Sequence, residues 1–220
     1  MARRALSVTV TTLTATAALL LAGCGGGDDN SSPDDIKGAD SGASSPSASS
    51  SASTSTPAGV TRPVVTLPDD FQLTFENWTS GDPEEQALLT DAKEQLRAGY
   101  ASIIANKPDG IAALAFYDTE SGLSQDRQWI KTYTDKSLTV FGKLPAFDPK
   151  VTIGKNKTSA ALYYCTDESK AYSKNRKNGQ VEGNPAGTDP QIFYTASLAK
   201  NEQGVWQNVS IRSERGACSR

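Results

Sequence analysis

The chain is 220 residues long, carries a net charge of −3 and contains no histidine. The near-neutral balance argues against a broad electropositive field for nucleic acid; the missing histidine removes the commonest general base, the Ser-His-Asp and Cys-His arrangements and the usual zinc ligand. Serine, alanine, glycine and proline crowd the chain before about residue 68, which leaves roughly 150 residues to fold as one domain.

Met1-Ala2-Arg3-Arg4 is a short basic head. Ala5 to Ala22 is an alanine-, leucine- and threonine-rich apolar stretch ending in small residues, and the two together predict an export signal. The hydroxyl side chains, each needing a partner in hydrocarbon, and the lack of a following positive cluster argue against a membrane-spanning helix. Leu21-Ala22-Gly23-Cys24 resembles the lipobox of bacterial lipoproteins. The resemblance implies cleavage between Gly23 and Cys24 and a diacylglyceryl thioether on Cys24. The chain would then be anchored in the lipid bilayer of the cell membrane, its remainder facing the extracytoplasmic side; two acyl chains suffice for stable anchoring. The alternative is a chance thiol ending an ordinary signal peptide. Residues 24–68 hold almost no apolar side chains and predict a disordered linker, spanning roughly 35 to 40 Å as a flexible coil.

The folded domain is expected over residues 69–220. Phe71, Leu73 and Phe75 alternate with polar residues, as in a short strand or extended arm. Asp82 suits an N-cap, Pro83 the first helical position, and Glu85 the far corner of a capping box. The stripe Leu88, Leu89, Ala92, Leu96, Tyr100, Ile103 and Ile104 then predicts a helix to about Asn106, ended by Lys107-Pro108. Two further helices are expected over Asp109 to Phe116 and Ser124 to Thr134, the latter turning Trp129, Ile130 and Tyr133 inward. Leu138 and Val140, then Val151 and Ile153, read as short strands separated by a Pro145–Pro149 loop. Gly154 to Lys157 reads as a hairpin turn and Ala160 to Cys165 as the next strand. Thr166 to Pro190 is expected to be an irregular hairpin or long loop, and two strands, Gln191 to Ala199 and Val205 to Arg212, close the chain. Helices first and an antiparallel meander afterwards make an α+β fold, its N-terminal helices packed on one curved antiparallel sheet.

That order, with Gly81-Asp82-Pro83 opening the long helix, Cys165-Thr166-Asp167 ending a strand, Val205-Trp206 in a late strand and a cysteine near the C-terminus, resembles the NTF2-like or SnoaL-like cone domains of bacterial lipoproteins. Enzymes and binding modules share that fold, so the resemblance implies an architecture and no activity. Once Cys24 is assigned to lipid, Cys165 and Cys218 remain as an even pair in an oxidising compartment and are expected to be bridged; two free thiols are the alternative.

No metal-ligand spacing, phosphate loop or dinucleotide fingerprint is present, and no cofactor or catalytic residue is assigned. Ketosteroid isomerase, which shares the cone, works with carboxylic acids and tyrosine. Tyr100, Tyr117, Asp118, Tyr133 and Tyr164 are the groups of that kind, each of which also reads as core or, for Asp118, as a cap or turn. The basic stretch Lys170, Lys174, Arg176 and Lys177, interrupted by Tyr172, reads either as a solvated loop or as a surface for an anionic partner. Asn77, Asn156 and Asn208 fit the glycosylation pattern but are discounted in a bacterial lipoprotein. The sequence therefore points to a membrane-anchored, non-catalytic module binding a small ligand, a wall component or an envelope protein. The alternative is a dehydratase- or isomerase-type enzyme. A deep pocket lined by a buried Asp and a Tyr within hydrogen-bond reach of a common point would favour the enzyme; a cone filled by Trp129, Phe116 and their neighbours would exclude it.

Overall fold

The computed structural model describes residues 60–218. The export signal, Cys24 and the linker up to residue 59 lie outside these residues.

Strand β1 (Phe71–Phe75) leads to helix α1 (Pro83–Ile104). Asp82 caps that helix, its Oδ1 accepting from Glu84 N at 2.7 Å and Glu85 N at 3.1 Å. The box is closed differently from expectation: Glu85 accepts the Ser80 hydroxyl, and that hydroxyl oxygen in turn accepts from Asp82 N. Helices α2 (Ala112–Tyr117) and α3 (Glu120–Thr134) follow. The latter starts four residues before the expected point because Thr119 supplies a side-chain cap to Gly122 N.

The sheet holds β2 (Leu138–Ile153), β3 (Ser159–Asp167), β4 (Lys170–Asn175), β5 (Val181–Glu182), β6 (Gln191–Lys200) and β7 (Trp206–Arg215), in the order β5-β4-β2-β3-β6-β7, with β1 added to β2. The β1–β2 pair is parallel and the other pairs are antiparallel. The fold class is α+β as expected. One detail of the strand reading needs correction. β2 runs unbroken through both prolines: Pro149 falls in the register break between Phe147 and Lys150, where no ladder bond is asked of it. In the segment Thr166 to Pro190, the irregular hairpin of the two alternatives is the one found: β4 pairs with β5 and, residue for residue, with Leu138–Lys143.

The linker boundary also moves. Residues 60–68 form a strap along α1, with Val65 buried in the core and Leu67 packed against it. Arg62 Nε reaches Asp91 Oδ1 at 2.6 Å, Val65 N reaches Glu94 Oε2 at 2.9 Å, and the Tyr117 hydroxyl donates to Pro63 O at 2.7 Å. Beside the apolar burial of Val65, the reason is polar: Asp91 is buried and also accepts from Trp206 N, so its charge needs the guanidinium that the strap brings.

Two apolar clusters lie between helices and sheet. One gathers Trp78, Leu88, Leu162, Leu198 and Trp206 at the N-terminal end of α1; the other gathers Phe71, Ile103, Leu114, Ile130 and Leu144 at its C-terminal end. The Cys165–Cys218 disulfide ties the C-terminal tail to β3. Closing a loop of 53 residues is worth roughly 4 kcal/mol in the chain-entropy picture.

Candidate functional site

The middle of α1, between the two clusters, is not filled. A cavity of about 240 Å³ opens there, bounded by Gln95, Leu96 and Tyr100 of α1, Asp126 and Trp129 of α3, and the sheet residues Tyr164, Thr166, Tyr194 and Ile211. Gly99 makes the close approach of α3 possible: a Cβ on it would stand 2.9 Å from the Trp129 ring. Trp129 is thus a wall of the cavity, not its filling, and Phe116 lies elsewhere, edge-on to Tyr117.

Helix α3 is held by β7. Thr119 N and the Thr119 hydroxyl both donate to Asn208 O, and the Ser121 hydroxyl donates to Val209 O. The Gln125 amide donates to Ile211 O at 2.6 Å and accepts from Ile211 N at 2.8 Å, taking the place of a neighbouring strand on this edge. Gly122 lets the first helical turn sit this close, since a Cβ there would be 2.2 Å from Asn208 O.

This seam brings two carboxyls together beneath the cavity. Asp118, 3% exposed, and Asp126, 4% exposed, both face the Gln95 amide nitrogen, which donates to Asp118 Oδ1 at 3.2 Å and to Asp126 Oδ2 at 2.6 Å. Asn208 Nδ2 donates to Asp118 Oδ1 at 3.2 Å. Burial and then the neighbouring Asp126 charge push Asp118 up to about 8; burial pushes Asp126 up to about 6, against the Asp118 and Gln95 hydrogen bonds, which lower it. Two carboxyls this close do not both ionise readily, so near neutrality the pair retains a proton. The phenols of Tyr100, Tyr164 and Tyr194 are raised by burial and stay neutral hydrogen-bond donors. The site is therefore a largely apolar, aromatic recess lined by Asp126 and by Tyr100, Tyr164 and Tyr194, a make-up suited to orienting a small molecule. Among the described residues no His, Cys, Asp or Glu cluster is arranged to hold a metal ion.

Of the sequence candidates, Tyr100 and Tyr164 line the cavity. Asp118 stands at the C-terminal cap of α2, as the sequence suggests, and is also a buried member of the carboxyl pair. Tyr117 is spent on the strap, and Tyr133 lines a smaller neighbouring recess. Asp126, Gln95 and Tyr194 escape the sequence reading. Asp126 lies three residues before Trp129 and four before Ile130, so a charged residue inside an apolar stripe is the available signal.

No protein-family model and no curated protein sequence matches the chain. Solved structures resemble it in part. A ketosteroid isomerase-like protein from Erwinia carotovora atroseptica is 12% identical over 62% of this chain and 99% of its own, with a TM-score of 0.42. The protein Aln2 from a Streptomyces species is 11% identical over 62% and 94%, at 0.43. An NTF2-like superfamily protein from Salmonella enterica serovar Typhimurium is 14% identical over 60% and 92%, at 0.39. No residue assignment passes from them to this chain.

Proposed function

We propose that the chain is a cell-envelope lipoprotein, held on the extracytoplasmic side of the membrane through Cys24, and that its domain is an NTF2-like cone that binds a small molecule without transforming it. The cavity between α1, α3 and the sheet carries this reading. It is aromatic, it is open, and its polar groups are few and convergent, which is the usual make-up of a ligand recess. Native mass spectrometry of the detergent-extracted protein tests it: a small molecule should accompany the wild type and be lost from Ser213→Trp, which places a bulky ring at an exposed position on the cavity lining. Equal occupancy in both proteins would place the ligand elsewhere. The anchor is tested separately, since Cys24→Ala should leave an uncleaved precursor or release the protein into the medium.

The carboxyl pair favours one other reading, an enzyme of isomerase or dehydratase type with Asp126 as the proton-transferring group. Asp126→Asn separates the two: a binding module retains the same molecule in both proteins, whereas for a catalyst the wild type converts the molecule and only Asp126→Asn holds it unconverted.

A further inference from the structure

The outer face of β2 and β4 is a second, unassigned surface. Cross-strand pairing puts Lys143 opposite Lys170, Phe141 opposite Tyr172 and Thr139 opposite Lys174, and β5 then sets Val181 beside Lys174. These positions share one side of the sheet, because the intervening residues Val140 and Leu144 are buried in the core on the other side. Tyr172 stacks on Phe141 with ring centroids 5.5 Å apart. Lys177, exposed, stands in the turn after β4.

Three features mark this face out. Like charges directly opposite one another, as Lys143 and Lys170 are, destabilise a sheet unless something offsets them. Among the described residues none of Lys143, Lys170, Lys174 and Lys177 forms an ion pair. Of the three exposed large hydrophobic side chains in the described domain, Val64, Tyr172 and Val181, two lie among these lysines. The nearby acid Glu182 pairs with Ser173 on the inward side, lining the recess that also holds Glu168. Arg176 is not part of the surface: its guanidinium donates to Ile103 O, at 2.7 Å, and to Ile104 O, satisfying the end of α1.

We infer that this face docks on an anionic lipid surface. Lysines provide the attraction to headgroup phosphates, and an amphipathic Tyr with an apolar Val at the centre suits the headgroup boundary, where a purely polyanionic partner would have no use for Val181. The inference rests on the reading that the chain is held at a bilayer, which would keep the domain within reach of lipid at all times. Each lysine close to an anionic surface strengthens attachment about fivefold, and half-molar salt screens most of that.

The test uses the full chain mixed with vesicles of phosphatidylglycerol or of phosphatidylcholine, read by hydrogen exchange in β4 and β5 and, independently, by flotation. Docking predicts several-fold slower exchange over Lys170–Asn175 with phosphatidylglycerol only. That protection should be lost in high salt, in K143E/K170E/K174E and in the gentler K143Q/K170Q/K174Q, and weakened in Val181→Ser. Exchange that is the same with both lipids overturns the docking surface whether or not the chain floats. Protection by soluble polyphosphate that equals that by vesicles and ignores Val181→Ser overturns the lipid assignment. A chain that floats with phosphatidylglycerol but not with phosphatidylcholine, and shows charge-dependent protection, removes the anchor and keeps the docking face.

Discussion

Asp118 and Asp126 share a single hydrogen-bond donor, the Gln95 amide nitrogen, and stand at the seam where α3 meets β7. Because both carboxyls titrate above their ordinary range of about 4, the folded chain binds more protons than the unfolded chain from about pH 4 up to about 8. Stability therefore falls as pH rises through that window and levels off above it. Thermal unfolding should show a melting temperature several degrees lower at pH 9 than at pH 6, and Asp118→Asn should flatten the slope. An Asp118→Asn profile as steep as wild type would mean that the pair does not hold the proton.

The strap offers a second check. Arg62→Ala leaves Asp91 buried without its counter-charge and should destabilise the domain by about 2 kcal/mol, whereas Val64→Ser, at a position 83% exposed, should change nothing. Denaturant unfolding of the two variants side by side distinguishes a docked strap from a passing linker: equal midpoints would detach it.

Gly122→Ala should be among the most damaging small substitutions in the domain. The added methyl meets the Asn208 carbonyl, and backbone on both sides leaves it no room. A loss of about 2 to 3 kcal/mol is expected, with ligand retention falling alongside because Asp126 and Trp129 ride on the same helix. A fully stable variant would show that α3 can slide on β7.

The disulfide predicts that no alkylatable thiol is found in the domain under non-reducing conditions. Cys218→Ser should lower stability by up to about 4 kcal/mol while leaving the cavity lining intact, so weaker folding with normal ligand retention is the expected pattern.

The helices are legible in the sequence because their signals are local. Asp82-Pro83 and the apolar stripe of α1 settle its start and its inward face within a few residues of sequence. The strap is not, because what fixes Arg62 is Asp91, 29 residues away, and no local pattern announces such a pair. β4 is legible only as part of an irregular hairpin: Lys170, Tyr172 and Lys174 alternate with inward positions that are only half buried, and its partner β2 carries two prolines. The carboxyl site is hidden most deeply. Gln95 and Asp126 each sit in an apolar stripe where a polar residue looks like a surface position, and their meaning comes from Asn208 and Asp118 meeting at the late strand β7. The disulfide pairing follows once one cysteine is set aside, and the structure contains it.

Arg62 has a mechanical consequence. Any pull transmitted along the N-terminal segment enters the domain at the Arg62–Asp91 clamp and the Tyr117–Pro63 hydrogen bond, before it reaches β1. The load falls on α1 and on Gly204, at the turn before β7, which also holds the Arg62 guanidinium. The parallel pairing of β1 with β2, on which the core end of the cavity depends, is left slack. The N-terminal segment is belayed on the helix face, ahead of the first strand.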